Sequence, residues 1–222
     1  MDDPVLERGR HRHALRGLSR LNLLSGSARI LWPAIRELAR RERRPLRVLD
    51  LASGAGDVPL GLWRRVRRAG LEIEIRGMDV SPEAVAFARE LAAAAGAPLR
   101  FERGDVMHGE LPAGFDVVLC SLFLHHVDDE RAVDLLARMR RAARRLVLVS
   151  DLLRGTPGLL LAHAASRLLT TSDVVRSDAP QSVRASYTGD EMLELARRAG
   201  MSGARVWRRW PQRLLLTWEA TR

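Results

Sequence analysis

Short apolar runs alternate along the chain with segments in which apolar residues recur at helical spacing. This alternation predicts a parallel α/β sheet. Ser81 has the character of a helix N-cap, Pro82 fits the first helical position, and Gly96 ends that helix. The predicted strands lie at 46–51, 71–78, 99–103, 115–120 and 146–150, with helices between them at about 57–69, 82–96 and 129–143.

The alternation changes after the fifth predicted strand. Residues 155–180 are punctuated by Gly and Pro around a leucine-rich run, which predicts an inserted helix or helix pair. Thr188 and Glu191 have the spacing of a capping box, which opens a helix to about residue 198. Strand-like runs at 204–209 and 213–219 predict a final antiparallel hairpin.

The composition is that of a globular protein. The chain has 222 residues, of which 46% are hydrophobic and 29% charged. Cys120 is the only cysteine, which excludes a disulfide scaffold and fits a reducing compartment. No apolar run approaches the ~18 residues of a membrane span, and the charged N-terminus lacks the apolar stretch of a signal peptide. We therefore predict a cytoplasmic location.

All 37 basic residues are arginine. The absence of lysine excludes a Walker P-loop and Schiff-base catalysis. The formal charge is +10, which leaves contact with nucleic acid or weak contact with an anionic membrane surface open. Aromatic residues make up only 5%, and no nucleic-acid recognition motif accompanies the charge. We favour a compositional origin for the arginines and predict no specific nucleic-acid partner.

The segment VLDLASGAGD, residues 48–57, predicts a ligand-binding turn. Asp50 ends the first strand, and Gly54 and Gly56 let the backbone approach a ligand closely. The third glycine of a dinucleotide fingerprint is replaced by Pro59. A carboxylate at Asp50 would also repel phosphate, whereas it suits a ligand that carries an ammonium group.

Two further acids follow the next two predicted strands. Asp79 is placed to accept hydrogen bonds from both hydroxyls of a ribose. Asp105 is placed to receive an adenine amino group, with the backbone of Val106 donating. The pattern predicts an adenosine-containing ligand with a cationic end.

Five segments, in order, resemble the successive motifs of class I S-adenosylmethionine-dependent methyltransferases. These are VLDLASGAGD, GMDVSPEAVAFAR, RGDV, FDVVLCSLFLHHV and LVLVSDL. Ala52 departs from the commonest form of the first motif, which has glycine there. That variant is similar to the loop of the quinone-biosynthesis methyltransferases.

The resemblance implies a Rossmann-like class I methyltransferase fold with S-adenosyl-L-methionine as cofactor. The sheet would be mostly parallel and seven-stranded, with a C-terminal antiparallel hairpin and a helical N-terminal lid. Ribose and adenine contacts would come from Asp79 with Val80 and from Asp105 with Val106. The methionine end would be lined by Asp50, Ala52, Ser53, Gly54, Gly56, Ser121 and Leu122.

This expectation divides a single domain into four parts. They are a helical N-terminal extension or lid (1–44), a cofactor-binding core (45–152), an acceptor-lid insertion (153–187), and a C-terminal helix and hairpin (188–222).

His125 and His126 follow the fourth strand, at the edge where open α/β sheets bind ligands. Adjacent helical residues point about 100° apart, so we predict no shared metal ion. One histidine would face the acceptor as a catalytic base and the other the core; the alternative is that both are structural. An arginine near a phenolic acceptor would also help by favouring phenolate.

The sequence marks the residues of the acceptor site less clearly than those of the cofactor site. Arg176, Arg184 and Tyr187 lie in VVRSDAPQSVRASYT, which resembles bacterial methyltransferases associated with type III polyketide synthases. His163 lies in the leucine-rich insert, and Asn22 lies among the leucines of the N-terminal lid. The resemblance and the apolar lid predict a small hydrophobic acceptor of phenolic or polyketide type.

We therefore predict an enzyme of secondary metabolism that methylates oxygen of a small-molecule acceptor. C-methylation of a quinone precursor, RNA or protein methylation, and a non-catalytic cofactor-binding role remain alternatives. The segment SLFL after strand four lacks an NPPY-like amino-methylating tetrad. A monomer and a homodimer are both left open.

Overall fold

The computed structural model describes residues 26–169 and 173–220, without the side chains of residues 165, 168, 169 and 173–178. Asn22 and the side chain of Arg176 lie outside this description. The helices are α1 (Ser27–Glu42), α2 (Asp57–Ala69), α3 (Pro82–Ala94), α4 (Asp129–Ala142), α5 (Thr156–Leu169), α6 (Asp173–Ala185) and α7 (Gly189–Arg198). The strands are β1 (Leu46–Leu51), β2 (Ile73–Asp79), β3 (Arg100–Arg103), β4 (Phe115–Ser121), β5 (Ala143–Leu152), β6 (Arg205–Arg209) and β7 (Arg213–Glu219).

The strands form one seven-stranded sheet in the order β3-β2-β1-β4-β5-β7-β6. All neighbours are parallel except β7, which runs antiparallel to both β5 and β6. This confirms the predicted Rossmann-like class I fold with its C-terminal hairpin. The strand order reverses between β1 and β4, and ligands of open α/β sheets bind at the carboxyl ends of strands beside such a point.

Each strand sends alternate side chains to opposite faces of the sheet. In β4, Val117 and Leu119 belong to the core with α1 and α2, whereas Val118 and Cys120 belong to the core with α4 and α7. These side chains are fully buried. Both faces of the sheet are therefore covered, as the near-continuous apolar strands predict.

Local capping follows the sequence predictions. Ser81 accepts a hydrogen bond from the backbone N of Ala84, and Thr188 forms a complete capping box with Glu191. The inserted segment is a helix pair, α5 and α6.

Two predicted strands differ from the structure by two or more residues at an end. The second strand begins at Ile73 rather than at residue 71. The fifth strand is longer than predicted because it pairs with β4 from Ala143 and with β7 as far as Leu152. This extension places Asp151 inside the sheet.

The described part of the N-terminal extension, α1, packs beside α2 and β5 on one face of the sheet. The lid prediction rests on residues outside the description. Between residues 26 and 169 and between 173 and 220, no helix combines the length and apolarity needed to cross a bilayer.

Candidate active site

The turn between β1 and α2 has a backbone that requires glycine at one position and leaves open space at another. Gly56 has a φ of 75°, and a Cβ there would lie 2.8 Å from both Ala88 Cβ and Phe101 Cζ. Gly54 has a φ of 52°, and a Cβ there would meet nothing within 4 Å. The turn is thus packed against α3 and β3 on one side and open at Gly54.

Two non-glycine residues at this edge adopt left-handed backbone conformations. Ala52, just after β1, has a φ of 51°, and Leu122, just after β4, has a φ of 57°. Such a conformation costs a non-glycine residue about 1–2 kcal/mol. Residues strained in this way concentrate at functional sites. The φ of Ala52 also explains why a glycine is common at its position.

Asp50 is a buried carboxylate that lacks a full set of partners. It is 1% exposed, and its Oδ1 makes no hydrogen bond; the buried Oγ of Ser53 makes none either. Burial raises the pKa of Asp50 well above its usual value, and the nearby Asp57 and Asp79 raise it further. An arriving ammonium group would reverse this effect, so the site fits a cationic ligand.

Asp79 ties the turn to the start of α3. Its Oδ2 accepts from the backbone N of Gly54 at 2.8 Å, and its Oδ1 accepts from the backbone N of Ser81 at 2.9 Å. The adjacent Val80 is 56% exposed. The structure therefore brings Asp50, Ser53, Gly54 and Asp79 to one edge of the sheet.

Asp105 lies on the exposed loop after β3. Its carboxylate accepts from the backbone N of Met107 at 2.7 Å and pairs with His108 Nδ1 at 2.8 Å. These hydrogen bonds, that of His108 foremost, lower the pKa of Asp105. Val106 is buried, and its carbonyl accepts from Arg138 at 2.6 Å. The adenine contacts assigned to Asp105 and Val106 stay predictions.

The two histidines differ sharply in environment. His125 is buried, and its Nδ1 lies 2.7 Å from Oδ1 of Asp151. His126 is exposed, and its ring centroid lies 4.1 Å from that of His125. One histidine is therefore buried and the other exposed; which of them faces an acceptor stays a prediction.

Asp151 is the most important site residue that sequence analysis missed. Burial opposes its charge, but His125, the backbone N of Leu152 and Arg213 together lower its pKa below the usual value. The carboxylate is therefore held ionised beside the imidazole. Such an acceptor fixes the orientation of a histidine ring and selects the tautomer with the proton on Nδ1.

Arg213 is a second missed residue, 1% exposed beneath this edge. Its guanidinium donates to the carbonyl of Asp151 at 3.2 Å and to Ser150 Oγ at 3.0 Å, and reaches Ser121 Oγ at 3.5 Å. Burial lowers its pKa to about 10, against the opposing effects of Asp151 and Asp57. Arg213 thus holds the ends of β4, β5 and β7 together from inside.

The predicted acceptor residues are placed around the inserted helices. Helix α6 packs against the 3-10 turn that carries His125 and His126. Arg184 is exposed on α6, and His163 is half-buried on α5. Their contacts with an acceptor stay predictions.

Tyr187 has a clear packing role. It is 7% exposed, and its hydroxyl donates to Asp129 Oδ1 at 3.1 Å and approaches the carbonyl of Val127 at 3.4 Å. Burial and the hydrogen bond to Asp129 raise its pKa. The side chain thus joins the end of the insertion to the loop after β4; its binding of an acceptor stays a prediction.

Known proteins resemble both the sequence and the fold. Residues 48–145 match the protein family described as "Methyltransferase domain". A demethylmenaquinone methyltransferase of Thermus thermophilus is 36% identical over 129 residues, which is 57% of this chain and 57% of that protein. The chain thus spans little more than half the length of this relative.

Two solved structures share the fold. The S-adenosylmethionine-dependent methyltransferase SibL, in its apo form, is 20% identical with a TM-score of 0.68, over 91% of this chain and 56% of that one. The magnesium protoporphyrin IX methyltransferase ChlM of Synechocystis PCC 6803 with bound SAH is 18% identical with a TM-score of 0.61, over 89% of this chain and 83% of that one.

The family match, the relative and the shared fold all support a class I S-adenosylmethionine-dependent methyltransferase. They agree with the predicted family, and with S-adenosyl-L-methionine as its cofactor. In the described ranges, 26–169 and 173–220, no group of three or more His, Cys, Asp and Glu residues could hold a metal ion. Asp50 and Ser53 each have a buried oxygen without a hydrogen-bond partner, which fits the contact with the charged methionine end that the resemblance implies.

Replacing Asp50 by asparagine is expected to stabilise the ligand-free protein and weaken cofactor binding. The pKa of the Asp50 carboxyl is higher in the folded protein than in the unfolded chain, so this carboxyl loses its proton at a lower pH in the unfolded chain. The free energy of unfolding therefore falls as pH rises from about 3.8 toward the folded pKa. Asparagine does not ionise, so the variant keeps this free energy of unfolding. Each kcal/mol of stability gained raises the melting temperature by about 2–4 °C. Affinity for S-adenosylmethionine, measured by calorimetry, should fall about tenfold to a hundredfold because a charge-assisted hydrogen bond is lost.

Asp116 supplies the matched control for this variant. It is equally buried, but it accepts from Arg44 at 2.7 Å and from the backbone N of Arg47 at 2.9 Å. Asp116→Asn should therefore lower the melting temperature and leave cofactor affinity unchanged. Destabilisation by Asp50→Asn, or unchanged affinity, would contradict the assigned role.

Proposed function

We propose that this methyltransferase transfers the methyl group of S-adenosylmethionine to a small hydrophobic acceptor, and that it methylates oxygen of a phenolic or polyketide-type compound. The observation that carries the proposal is the buried His125–Asp151 pair at the carboxyl ends of β4 and β5. A base held in this way suits an acceptor that must lose a proton.

The residues around the β1 turn fit the cofactor. Asp50 and Ser53 would hold the methionine end, Gly54 gives room for close approach, and Asp79 would bind the ribose. When bound, the cofactor supplies an electrophilic methyl group on a sulfonium. The protein's own contribution is to hold the acceptor oxygen in line with that group, and proximity of this kind can supply about 7–11 kcal/mol.

His125 would take the proton of the acceptor hydroxyl. Its Nδ1 hydrogen is directed to Asp151, which leaves Nε2 as the nitrogen that accepts. A phenol has a pKa near 10 and an ordinary histidine one near 6.5, so the transfer is uphill by about 4.8 kcal/mol. The carboxylate of Asp151, 2.7 Å from Nδ1, would lie next to the positive charge that forms on the ring.

The second candidate is C-methylation of a quinone precursor. It is supported by the 36% identity to the demethylmenaquinone methyltransferase of Thermus thermophilus and by the ASGAGD form of the loop. The two candidates share the cofactor site and the need for a hydrophobic acceptor. They differ in which atom of the acceptor receives the methyl group.

The proposal is tested with S-adenosylmethionine labelled in its methyl group and a panel of alkyl phenols, pyrones, quinone precursors and RNA. We expect label in phenols or pyrones, as a methyl ether identified by NMR of the product. Label attached to ring carbon of a quinone precursor would favour the second candidate. Label in RNA alone would overturn the small-molecule proposal.

A further inference from the structure

Strand β6 forms one edge of the sheet and carries an exposed cluster of arginine and tryptophan. Trp207 is 43% exposed and Trp210 is 74% exposed. The cluster also includes Arg205 and Arg209 of β6 and Arg29 of α1, all exposed. These five residues are called the edge patch below.

The edge patch lies on one face of the sheet. Arg205, Trp207 and Arg209 alternate along β6 and so point the same way, and the guanidinium of Arg209 lies 5.5 Å from the ring of Trp207. Arg29 lies 5.9 Å from the ring of Trp210, which joins α1 to the same cluster. The patch is therefore continuous across the strand, the following turn and the helix.

The charge of the edge patch is uncompensated. No acidic residue occurs between Glu194 and Glu219 in the sequence. In the described part of the chain, no ion pair involves the three patch arginines, whereas other surface arginines do form ion pairs, such as Arg41 with Glu219. A surface with this charge is complementary to an anionic one.

Exposed apolar side chains lie on the helix next to the patch. The turn after Trp210 packs against the first turn of α5, where a Cβ at Gly158 would lie 3.7 Å from Gln212 Cβ. On the same helix, Leu160 is 65% exposed and Leu161 is 41% exposed. An exposed leucine makes no favourable contact with a nucleic-acid backbone, whereas its transfer from water into an acyl layer is favourable. Tryptophan and arginine are typical of the interfacial region of a bilayer.

We propose that the edge patch docks the protein onto an anionic lipid bilayer. Arginines contact the headgroups, and the indole rings of Trp207 and Trp210 enter the interface. Charged side chains on an edge strand also discourage strand pairing with a second copy of the chain. Docking brings the insertion α5–α6 close to the bilayer, so that a lipophilic acceptor can reach the site; this last consequence rests on the proposed function, whereas the docking does not.

The test measures sedimentation of the 222-residue chain with vesicles. We expect binding to vesicles of phosphatidylcholine mixed with phosphatidylglycerol, weakening with salt, and little binding to phosphatidylcholine alone. Each arginine near an anionic surface contributes ~1 kcal/mol, which is about fivefold in the partition coefficient. R205Q/R209Q should therefore lower the partition coefficient about 25-fold. The control R64Q/R68Q removes two exposed arginines of α2, and it should leave the partition coefficient nearly unchanged.

A tryptophan variant provides a second readout. Adding anionic vesicles should shift the fluorescence emission of the protein to the blue, and W207S/W210S should abolish the shift. Equal loss of binding in R64Q/R68Q would show that net charge alone acts, and absence of vesicle binding would overturn the proposal. Binding of a homopolymeric RNA that depends on the edge patch, without vesicle binding, would assign the patch to nucleic acid instead.

These measurements use no acceptor and no methyl transfer. A protein that docks but does not methylate phenols would refute the proposed function and leave the edge patch assigned. A protein that methylates phenols but does not bind vesicles would do the reverse. Each variant is checked for folding by the rise in melting temperature that S-adenosylmethionine produces.

Discussion

Replacing His125 by glutamine is expected to lower turnover about 10²–10⁴-fold, the range in which a general base contributes. Affinity for S-adenosylmethionine should largely survive, because the residues predicted to bind its ribose and adenine follow β2 and β3, away from His125. A general base acts only in its unprotonated form, so the rates are compared over a range of pH. Single-turnover rates across pH are the measurement.

Two variants show whether the effect is specific to a buried, oriented base. His126→Gln changes the exposed neighbour and should leave turnover close to that of the wild type. Asp151→Asn removes the carboxylate that orients His125 and should lower turnover and displace its pH profile. Wild-type behaviour of all these variants would place the acceptor site elsewhere.

A competing explanation is that arginines alone favour the phenolate. In that case His125→Gln would have little effect. Arg176→Ala or Arg184→Ala would instead raise the pH at which activity begins. The same pH series distinguishes the two explanations, because each names a different set of variants that loses activity.

Replacing Asp79 by alanine is expected to weaken S-adenosylmethionine binding at least about a hundredfold, because two charge-assisted hydrogen bonds of about 1.5–3 kcal/mol each are lost. The carboxylate also holds the backbone N of Gly54 and of Ser81, so its loss loosens the turn as well. Calorimetric titration measures the affinity, and circular dichroism shows whether the variant is folded.

Asp79→Asn separates these two contributions. Asparagine keeps one oxygen that can accept from a backbone N–H, so the turn is partly retained while the ribose contacts lose their charge. An intermediate affinity is expected. Full affinity in folded Asp79→Ala would refute the placement of the ribose.

The sequence predicted those features that depend on neighbours along the chain. Ser81 and Thr188 cap their helices through hydrogen bonds to residues only three positions away. The acids that follow parallel strands were identified because such strands end at the same edge of the sheet. Local rules predicted the fold, and the resemblance of the successive motifs predicted the family.

The features that were missed depend on partners distant in the sequence. Asp151 lies 26 positions from His125, and it was placed outside the fifth strand because the pairing with β7 was unknown. Arg213 is one of 37 arginines, and nothing in the local sequence marks it as buried. Its role appears only when β5 and β7 are brought together.

Cys120 is the single thiol of the chain, fully buried in the middle of the sheet. Burial raises its pKa far above the usual value, and the nearby Asp50 raises it further. A thiol in this state reacts with alkylating reagents only when the surrounding strands separate. The rate at which Cys120 is alkylated therefore measures how often the sheet opens. It does so at a position paired with Leu51 of β1, directly before the turn that leads to α2.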